Sequence, residues 1–347
     1  MPLIKEVLCR KNAPISLIPF EFGMTRKENN MSKRPFPWED RPKDAVDPIW
    51  RYSLNPVMKR NPTSKLSQVY NSSLVPYEDG YIGIFRAEPR DLITKIFLGR
   101  SKDGLTFDLD EEPIHFVYED GRMDDSQYQY DPRLIKIGDT YYIVYCDDFA
   151  NLASISIGYT KDFKTFIKLA HPFPPDSRNG VLFPQKINGE YLMLYRIADS
   201  AAAGDIYLAR SKDLRYWGEY SLLMKRTPYG WGKKKIGGGC TPILTKEGWL
   251  LIYHGVMDTC NGLIYSIGGA ILDKDDPSIV KYRSKAYLLR PERSYETTGH
   301  VGNVCFPCSA LVDEETGRLA IYYGASDDCI CLGFSTIDIL LDYIKNN

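Results

Sequence analysis

Apolar positions along this chain gather in short dense runs, and five of those runs share one plan. Each opens at a turn glycine, continues through aromatic and aliphatic residues, and closes on a position that changes character. The copies are Gly80-Tyr-Ile-Gly-Ile-Phe-Arg86, Gly138-Asp-Thr-Tyr-Tyr-Ile-Val-Tyr-Cys146, Gly189-Glu-Tyr-Leu-Met-Leu-Tyr-Arg196, Gly248-Trp-Leu-Leu-Ile-Tyr-His254 and Gly317-Arg-Leu-Ala-Ile-Tyr-Tyr-Gly324. Runs of this length and composition, bounded by turn residues, predict strands. The glycines recur at intervals of 51 to 69 residues, a period that for strand-only units predicts propeller blades. The expected fold is all-β, a five-bladed β-propeller. Equivalent positions of such blades converge on a central funnel. Of the closing residues Arg86, Cys146, Arg196, His254 and Gly324, three can carry positive charge, which predicts a funnel built for an anion.

An inner strand is expected before each copy. Most of these carry an X-Pro step (Asp131-Pro132, Phe183-Pro184, Thr241-Pro242, Phe306-Pro307), while the first reads Asn71-Ser-Ser-Leu-Val-Pro76. Proline removes a ladder bond and is expected at a strand entrance, which places the preceding residue near the channel mouth. A second echo, Gly99-Arg-Ser-Lys-Asp-Gly-Leu-Thr-Phe107, Gly158-Tyr-Thr-Lys-Asp-Phe-Lys-Thr-Phe166 and Ala209-Arg-Ser-Lys-Asp-Leu-Arg-Tyr-Trp217, predicts blade-edge hairpins whose Lys-Asp pairs are turn residues and not chemistry. Ser335-Thr-Ile-Asp-Ile-Leu-Leu-Asp-Tyr-Ile344 predicts a capped C-terminal helix closing the last blade. Residues 1–33 lack the repeat and precede Pro35, Pro37 and Pro42, so they are assigned to an N-terminal arm, and 34–347 to the propeller, which begins near Trp50.

Composition changes this picture little. With 44 basic and 45 acidic residues, net charge −1 and no basic block, nucleic acid is not an expected partner. No apolar run reaches the roughly 20 residues that span a bilayer. The stretch Ile15–Phe20 is broken by Pro19 and is too short for a secretory signal, so a cytoplasmic protein without a membrane partner is expected. The eight cysteines include a CxxC (Cys305, Cys308) and a CxC (Cys329, Cys331). Without a second CxxC or a correctly spaced histidine they read as small buried hydrophobes, and no metal site is assigned. The 25 tyrosines suit strands, and some have the shape to stack on sugar rings.

Two constellations can carry chemistry. Asp131, between Tyr128-Gln-Tyr130 and Pro132-Arg133, is a carboxyl whose pKa is expected to be raised, fitting a general acid; the alternative is an Asp bonding local backbone amides. Ser177-Arg178-Asn179-Gly180, Arg196, His254 and Lys233-Lys234-Lys235 before Ile236-Gly237-Gly238-Gly239 form a cationic set with a backbone able to approach an anion; the alternative is that each arginine bridges blades through carboxylates. Inverting hydrolysis of a glycoside needs a second carboxylate to activate water. Direct attack by phosphate needs an anion site instead, so this set favours phosphorolysis.

Tyr130-Asp-Pro-Arg133, Arg178-Asn-Gly-Val-Leu-Phe-Pro184 with Lys186-Ile-Asn-Gly189, Lys235-Ile-Gly237, Gly248-Trp-Leu-Leu-Ile-Tyr-His-Gly-Val256, Asn303-Val-Cys-Phe-Pro-Cys308 and Tyr322-Tyr-Gly-Ala-Ser-Asp327 resemble glycoside hydrolase family 130, the β-mannoside phosphorylases. The likeness runs from about Pro37 to the C-terminus and is greatest to the branch acting on β-1,4-mannosyl-N-acetylglucosamine and β-1,4-mannooligosaccharides. It implies a five-bladed propeller in which Asp131 is the general acid, its proton passing through the 3-hydroxyl of the bound mannose. Inorganic phosphate, a co-substrate and not a cofactor, attacks C1 and gives α-mannose 1-phosphate. The resemblance places phosphate ligands at Arg178, Arg196, Lys235 and His254, with Arg86 near the reacting centre, and sugar ligands at Asp327, Tyr130 and Asn71. The sequence departs from the family pattern at His300, Gly302 and Ile197. An inverting β-mannosidase and a non-catalytic glycan-binding propeller are the competing readings. The acceptor sugar stays open, and a homo-oligomer is compatible with the sequence, which does not fix it.

Overall fold

The computed structural model describes residues 34–149, 152–198 and 203–347, so the N-terminal arm assigned to 1–33 lies outside the described residues. Five antiparallel sheets follow one another around a central channel. From the channel outward the first blade is Leu66–Tyr77, Gly80–Pro89, Lys95–Ser101 and Asp108–Pro113. The second is Gln129–Ile137, Thr140–Phe149, Leu152–Thr160 and Phe166–Ala170, with Phe116–Tyr118 added in parallel at the edge. The third is Ser177–Leu182, Tyr191–Ile197, Ile206–Ser211 and Trp217–Met224. The fourth is Lys235–Gly238 with Ile243–Thr245, then Gly248–Thr259, Gly262–Leu272 and Val280–Arg283. The fifth is Cys305–Asp313, Arg318–Ala325 and Cys329–Thr336. The early strand Trp50–Arg51 supplies its outer edge, pairing Trp50 with Phe334.

The dense apolar runs of the sequence are the second strands, and they are dense because both their faces are buried. Alternate residues point into the two neighbouring blade interfaces. In the first blade Ile82 and Ile84 pack toward the second blade, while Tyr81 and Phe85 pack toward the fifth. In the fourth, Trp249, Leu251 and Tyr253 face the third blade, while Leu250 and Ile252 face the fifth. Five apolar cores between blades result, in place of one central core.

The repeated Ser/Thr-Lys-Asp steps are turns, as the sequence predicts. Ser101, Thr160 and Ser211 accept backbone N–H bonds from Gly104, Phe163 and Leu214. Asp103, Asp162 and Asp213 each accept two more from the residues that follow. The C-terminal helix spans Ile337–Asn346, capped by Thr336, and buries Leu340, Leu341 and Ile344 against the fourth and fifth blades. Ring closure is held by Glu296, on the short helix Ser294–Thr297. It is fully buried and accepts from Arg51 Nε at 2.7 Å and from the Tyr323 hydroxyl at 2.8 Å.

Two expectations need correction. The X-Pro steps are not equivalent: Asp131-Pro132 and Phe306-Pro307 lie inside their inner strands, whereas Phe183-Pro184 follows the end of Ser177–Leu182. What repeats instead is a bulge with a left-handed non-glycine residue. Asn71, Asp131 and Asn179 have φ of 47°, 51° and 54°, each at a register shift of its strand. The cysteines are buried at 146, 240, 305, 308, 329 and 331, but Cys260 is exposed in the turn between Gly248–Thr259 and Gly262–Leu272.

Candidate active site

The inner-strand residues just before the first three bulges pair with the closing residues of the repeat, Tyr70 with Arg86, Tyr130 with Cys146 and Arg178 with Arg196, and in the last two blades Gly237 pairs with His254 and Phe306 with Gly324. This common register sets the ring of positions at the channel mouth. A bulge turns the next side chain into the channel. Asn71, Arg86, Tyr130, Asp131, Arg178, Arg196, Lys235, His254 and Asp327 all line one cavity of about 580 Å³. Cys146 does not line it, and Gly324 leaves room: a Cβ there would run into the Asn71 side chain.

The cavity has two electrostatic sides. On one, Asp131 Oδ1 accepts from Asn71 Nδ2 at 2.8 Å and from Arg86 Nη1 at 2.9 Å. The Arg86 guanidinium lies between the rings of Tyr70 and Tyr130, 4.3 and 5.2 Å from their centroids. Burial pushes the Asp131 pKa up, but Arg86, Arg133 and the two hydrogen bonds outweigh it, so the pKa is lowered. This corrects the expected raised value: the flanking tyrosines are visible in the sequence, whereas Arg86 is 45 residues away. The raised carboxyl is Asp327, pushed up to about 6 by burial, with Asp131 and Glu88 adding to the rise and Arg86 opposing it. It sits on a turn where Ser326 and Asp327 have φ of 50° and 47°.

Opposite stand the cations. Arg196, which is 6% exposed, touches His254 Nε2 through Nη1 at 3.1 Å and has no carboxylate partner among the described residues. Burial and Arg178 lower its pKa. Lys235 is lowered to about 8 by burial, then by Arg196, Arg178 and Lys234. His254, completely buried, falls well below the usual imidazole range because of burial, Arg196 and Lys235. His254 is therefore a neutral imidazole near pH 7, a correction to its expected charge. Arg178 pairs with Asp176 Oδ1 at 3.2 Å. Arg86, grouped with the cations in the sequence reading, is committed to carboxylates on the other side.

The glycines after Lys235 serve packing. A Cβ on Gly237 would meet His254 and Asn179, one on Gly238 would meet Val181, and one on Gly239 would meet Ile252 and Pro307. None of the three lines the cavity. The sequence reading named Asn179 and Tyr128 beside the candidate residues without giving them a role and missed Tyr265; all three line the cavity. The offset that puts Asn71 after Tyr70 and Asp131 after Tyr130 also puts Asn179 after Arg178, so that repeat carried the signal. Tyr265, with Lys235 Nζ 5.3 Å from its ring centroid, comes from a third strand that has no such marker. Arg133 is buried and donates to the carbonyls of Gly239 and Pro307 at 2.6 and 3.4 Å, tying the second, fourth and fifth blades together beneath the site.

A closed ring of five blades, with the carboxylates Asp131 and Asp327 on one side of the channel mouth and Arg178, Arg196 and Lys235 on the other, defines a β-propeller with a charged cavity at its axis. Within that class the chain belongs to glycoside hydrolase family 130: residues 30–346 match the family model described as β-1,4-mannooligosaccharide phosphorylase. It is 42% identical over 327 residues to the β-1,4-mannooligosaccharide phosphorylase of Ruminococcus albus, covering 92% of this chain and 97% of that one. The 4-O-β-D-mannosyl-D-glucose phosphorylase of Bacteroides fragilis is 29% identical, over 85% of this chain and 80% of that one. Among solved structures, the β-1,2-mannobiose phosphorylase of Listeria innocua in complex with β-1,2-mannobiose superposes with a TM-score of 0.76 at 27% identity, covering 85% of this chain and 99% of that one. No helix among the described residues is long and apolar enough to cross a membrane.

Proposed function

We propose that this protein is an inverting β-mannoside phosphorylase, converting a β-1,4-mannoside and inorganic phosphate reversibly into α-mannose 1-phosphate and the shortened sugar. The observation that carries this reading is the division of the cavity. Asp131 and Asp327 both lie beside Arg86, and the facing side presents Arg178, Arg196 and Lys235 with the neutral His254. Inverting hydrolysis would need a carboxylate base on the side opposite the acid; that side holds cations, which suit a phosphate nucleophile. In this reading Asn71, Tyr130 and Asp327 hold the mannose, and Asp131 gives a proton toward the glycosidic oxygen as the C1–O bond breaks. A phosphate oxygen bonds C1 from the other face, which inverts the anomeric centre. The bound phosphate also explains how an acid with a lowered pKa works: its negative charge opposes ionisation of Asp131. The β-1,4 linkage is supported by the likeness to the Ruminococcus albus enzyme over nearly the whole of both chains. The balanced reaction calls for phosphate alone, with no cofactor. Seven described cysteines, all unpaired, support a reducing compartment such as the cytoplasm.

The test is incubation with mannosyl-β-1,4-N-acetylglucosamine, and separately with β-1,4-mannobiose, with and without phosphate, followed by NMR. Phosphate-dependent α-mannose 1-phosphate is expected from at least one. Free mannose formed without phosphate would overturn the reading. Asp131→Asn is expected to lower kcat by roughly 10²- to 10⁴-fold, the range of a general acid, with sugar binding kept.

A further inference from the structure

Glu88 is a buried carboxylate that the chemistry above leaves unused. It follows Arg86 by two residues on the strand Gly80–Pro89, is 6% exposed, and does not line the cavity. Its Oε1 accepts from the Tyr70 hydroxyl at 2.5 Å and stands 3.5 Å from Arg86 Nη2. The same guanidinium reaches Asp131 Oδ1 through Nη1 at 2.9 Å. Arg86 is thus held in plane by two aromatic rings and drawn between two carboxylates through its two terminal nitrogens. One guanidinium largely shielded from water cannot fully neutralise both, so what it gives to Glu88 it withholds from Asp131. The Tyr70 hydroxyl, itself completely buried, satisfies part of Glu88 and leaves more of Arg86 to Asp131.

We propose that Glu88, steadied by Tyr70, is a positioning residue that divides Arg86 between itself and Asp131 and so sets how readily Asp131 holds its proton. The proposal rests on the reading of Asp131 as the acid. The other groups around Asp131 are Asn71 from the first blade, Tyr130, Arg133 and Cys146 from the second, Tyr265 from the fourth, and Cys308 and Asp327 from the fifth. None of them touches Glu88 by a described hydrogen bond or ion pair; Glu88 and Asp131 both raise Asp327 at longer range, and the direct contact through which Glu88 and Tyr70 reach Asp131 is Arg86.

The experiment is the pH profile of kcat, at saturating sugar and phosphate, for Glu88→Gln and Tyr70→Phe. Phosphate titrates alike in every variant, so differences between profiles belong to the protein. Glu88→Gln keeps the shape but removes the rival charge. Arg86 then binds Asp131 more fully, the acid loses its proton sooner, and the basic limb moves down by about one pH unit. Tyr70→Phe keeps the ring but strips Glu88 of its donor. Glu88 then draws Arg86 away, and the basic limb moves up. Opposite shifts in two folded variants support the proposal. Limbs that stay in place, or that move in the same direction, overturn it. Asp131→Asn separates the two levels: if it keeps full phosphorolysis the acid assignment falls and the proposal with it, whereas an inactive Asp131→Asn beside unmoved limbs defeats the role of Glu88 alone.

Discussion

Lys235 shows how the environment of one residue couples binding to stability. Its ammonium is depressed from the usual lysine range to about 8 by burial and by the like charges of Arg196, Arg178 and Lys234. Below pH 8 the folded protein holds a charge it disfavours relative to the unfolded chain, and that penalty fades as pH rises from 8 toward 10.5. Phosphate relieves the same penalty by adding the missing opposite charge. Lys235→Met is therefore expected to raise the phosphate KM roughly 10- to 100-fold, the worth of one charge-assisted hydrogen bond, while raising the melting temperature of the phosphate-free protein. In the unaltered protein kcat/KM for phosphate is expected to fall as pH passes 8. Kinetics and thermal unfolding in phosphate-free buffer check both signs; an unchanged phosphate KM would remove Lys235 from the anion site. At this scale the sequence exposed residue types and their place in the repeat, but not ionisation. Asp131 lacks the raised pKa expected of it and Asp327 carries one, because Arg86 bonds the first and only partly offsets the burial of the second.

At the scale of the element, local signals were legible wherever the chain satisfies its own backbone. The three Ser/Thr-Lys-Asp turns and the Thr336 cap use hydrogen bonds within three residues, so they can be read without tertiary knowledge. Thr336→Ala is expected to cost about 1 kcal/mol by removing the N-cap acceptor of Ile339, read as a lower denaturant midpoint with an unchanged sugar KM. The bulges were legible only as a repeated offset of Asn or Asp, not as backbone geometry. Proline marked the inner strand of the second blade correctly, but it misled at Phe183-Pro184. The residues at the bulges, Asn71, Asp131 and Asn179, are of the types that tolerate a left-handed backbone, but which Asn or Asp adopts it is set by the register of the neighbouring strand.

At the scale of the whole molecule, stability depends on closing the ring. The strand Trp50–Arg51 and the fifth blade are nearly 300 residues apart in sequence, and a buried carboxylate, Glu296, joins Arg51, Tyr323 and its own helix. Removing it would leave Arg51 only the longer contact to Glu292 at 3.7 Å and the carbonyl of Arg290. Glu296→Ala is expected to cost about 3–5 kcal/mol, read by denaturant unfolding, with turnover per folded molecule preserved because Glu296 lies outside the cavity. An unfolding midpoint equal to that of the unaltered protein would show that closure rests on the strand pairing alone.

The sequence by itself determined the number of blades, the turns, the C-terminal helix and the residue types at the channel mouth. These follow from periodicity and short-range hydrogen bonding, which any window of the chain displays. Tertiary structure alone decided that the first strand completes the last blade and that Arg86 serves Asp131. It also decided that His254 is neutral, and that Tyr265 joins the site. Each of those depends on the distance between groups far apart in the chain, and on how much water remains between them.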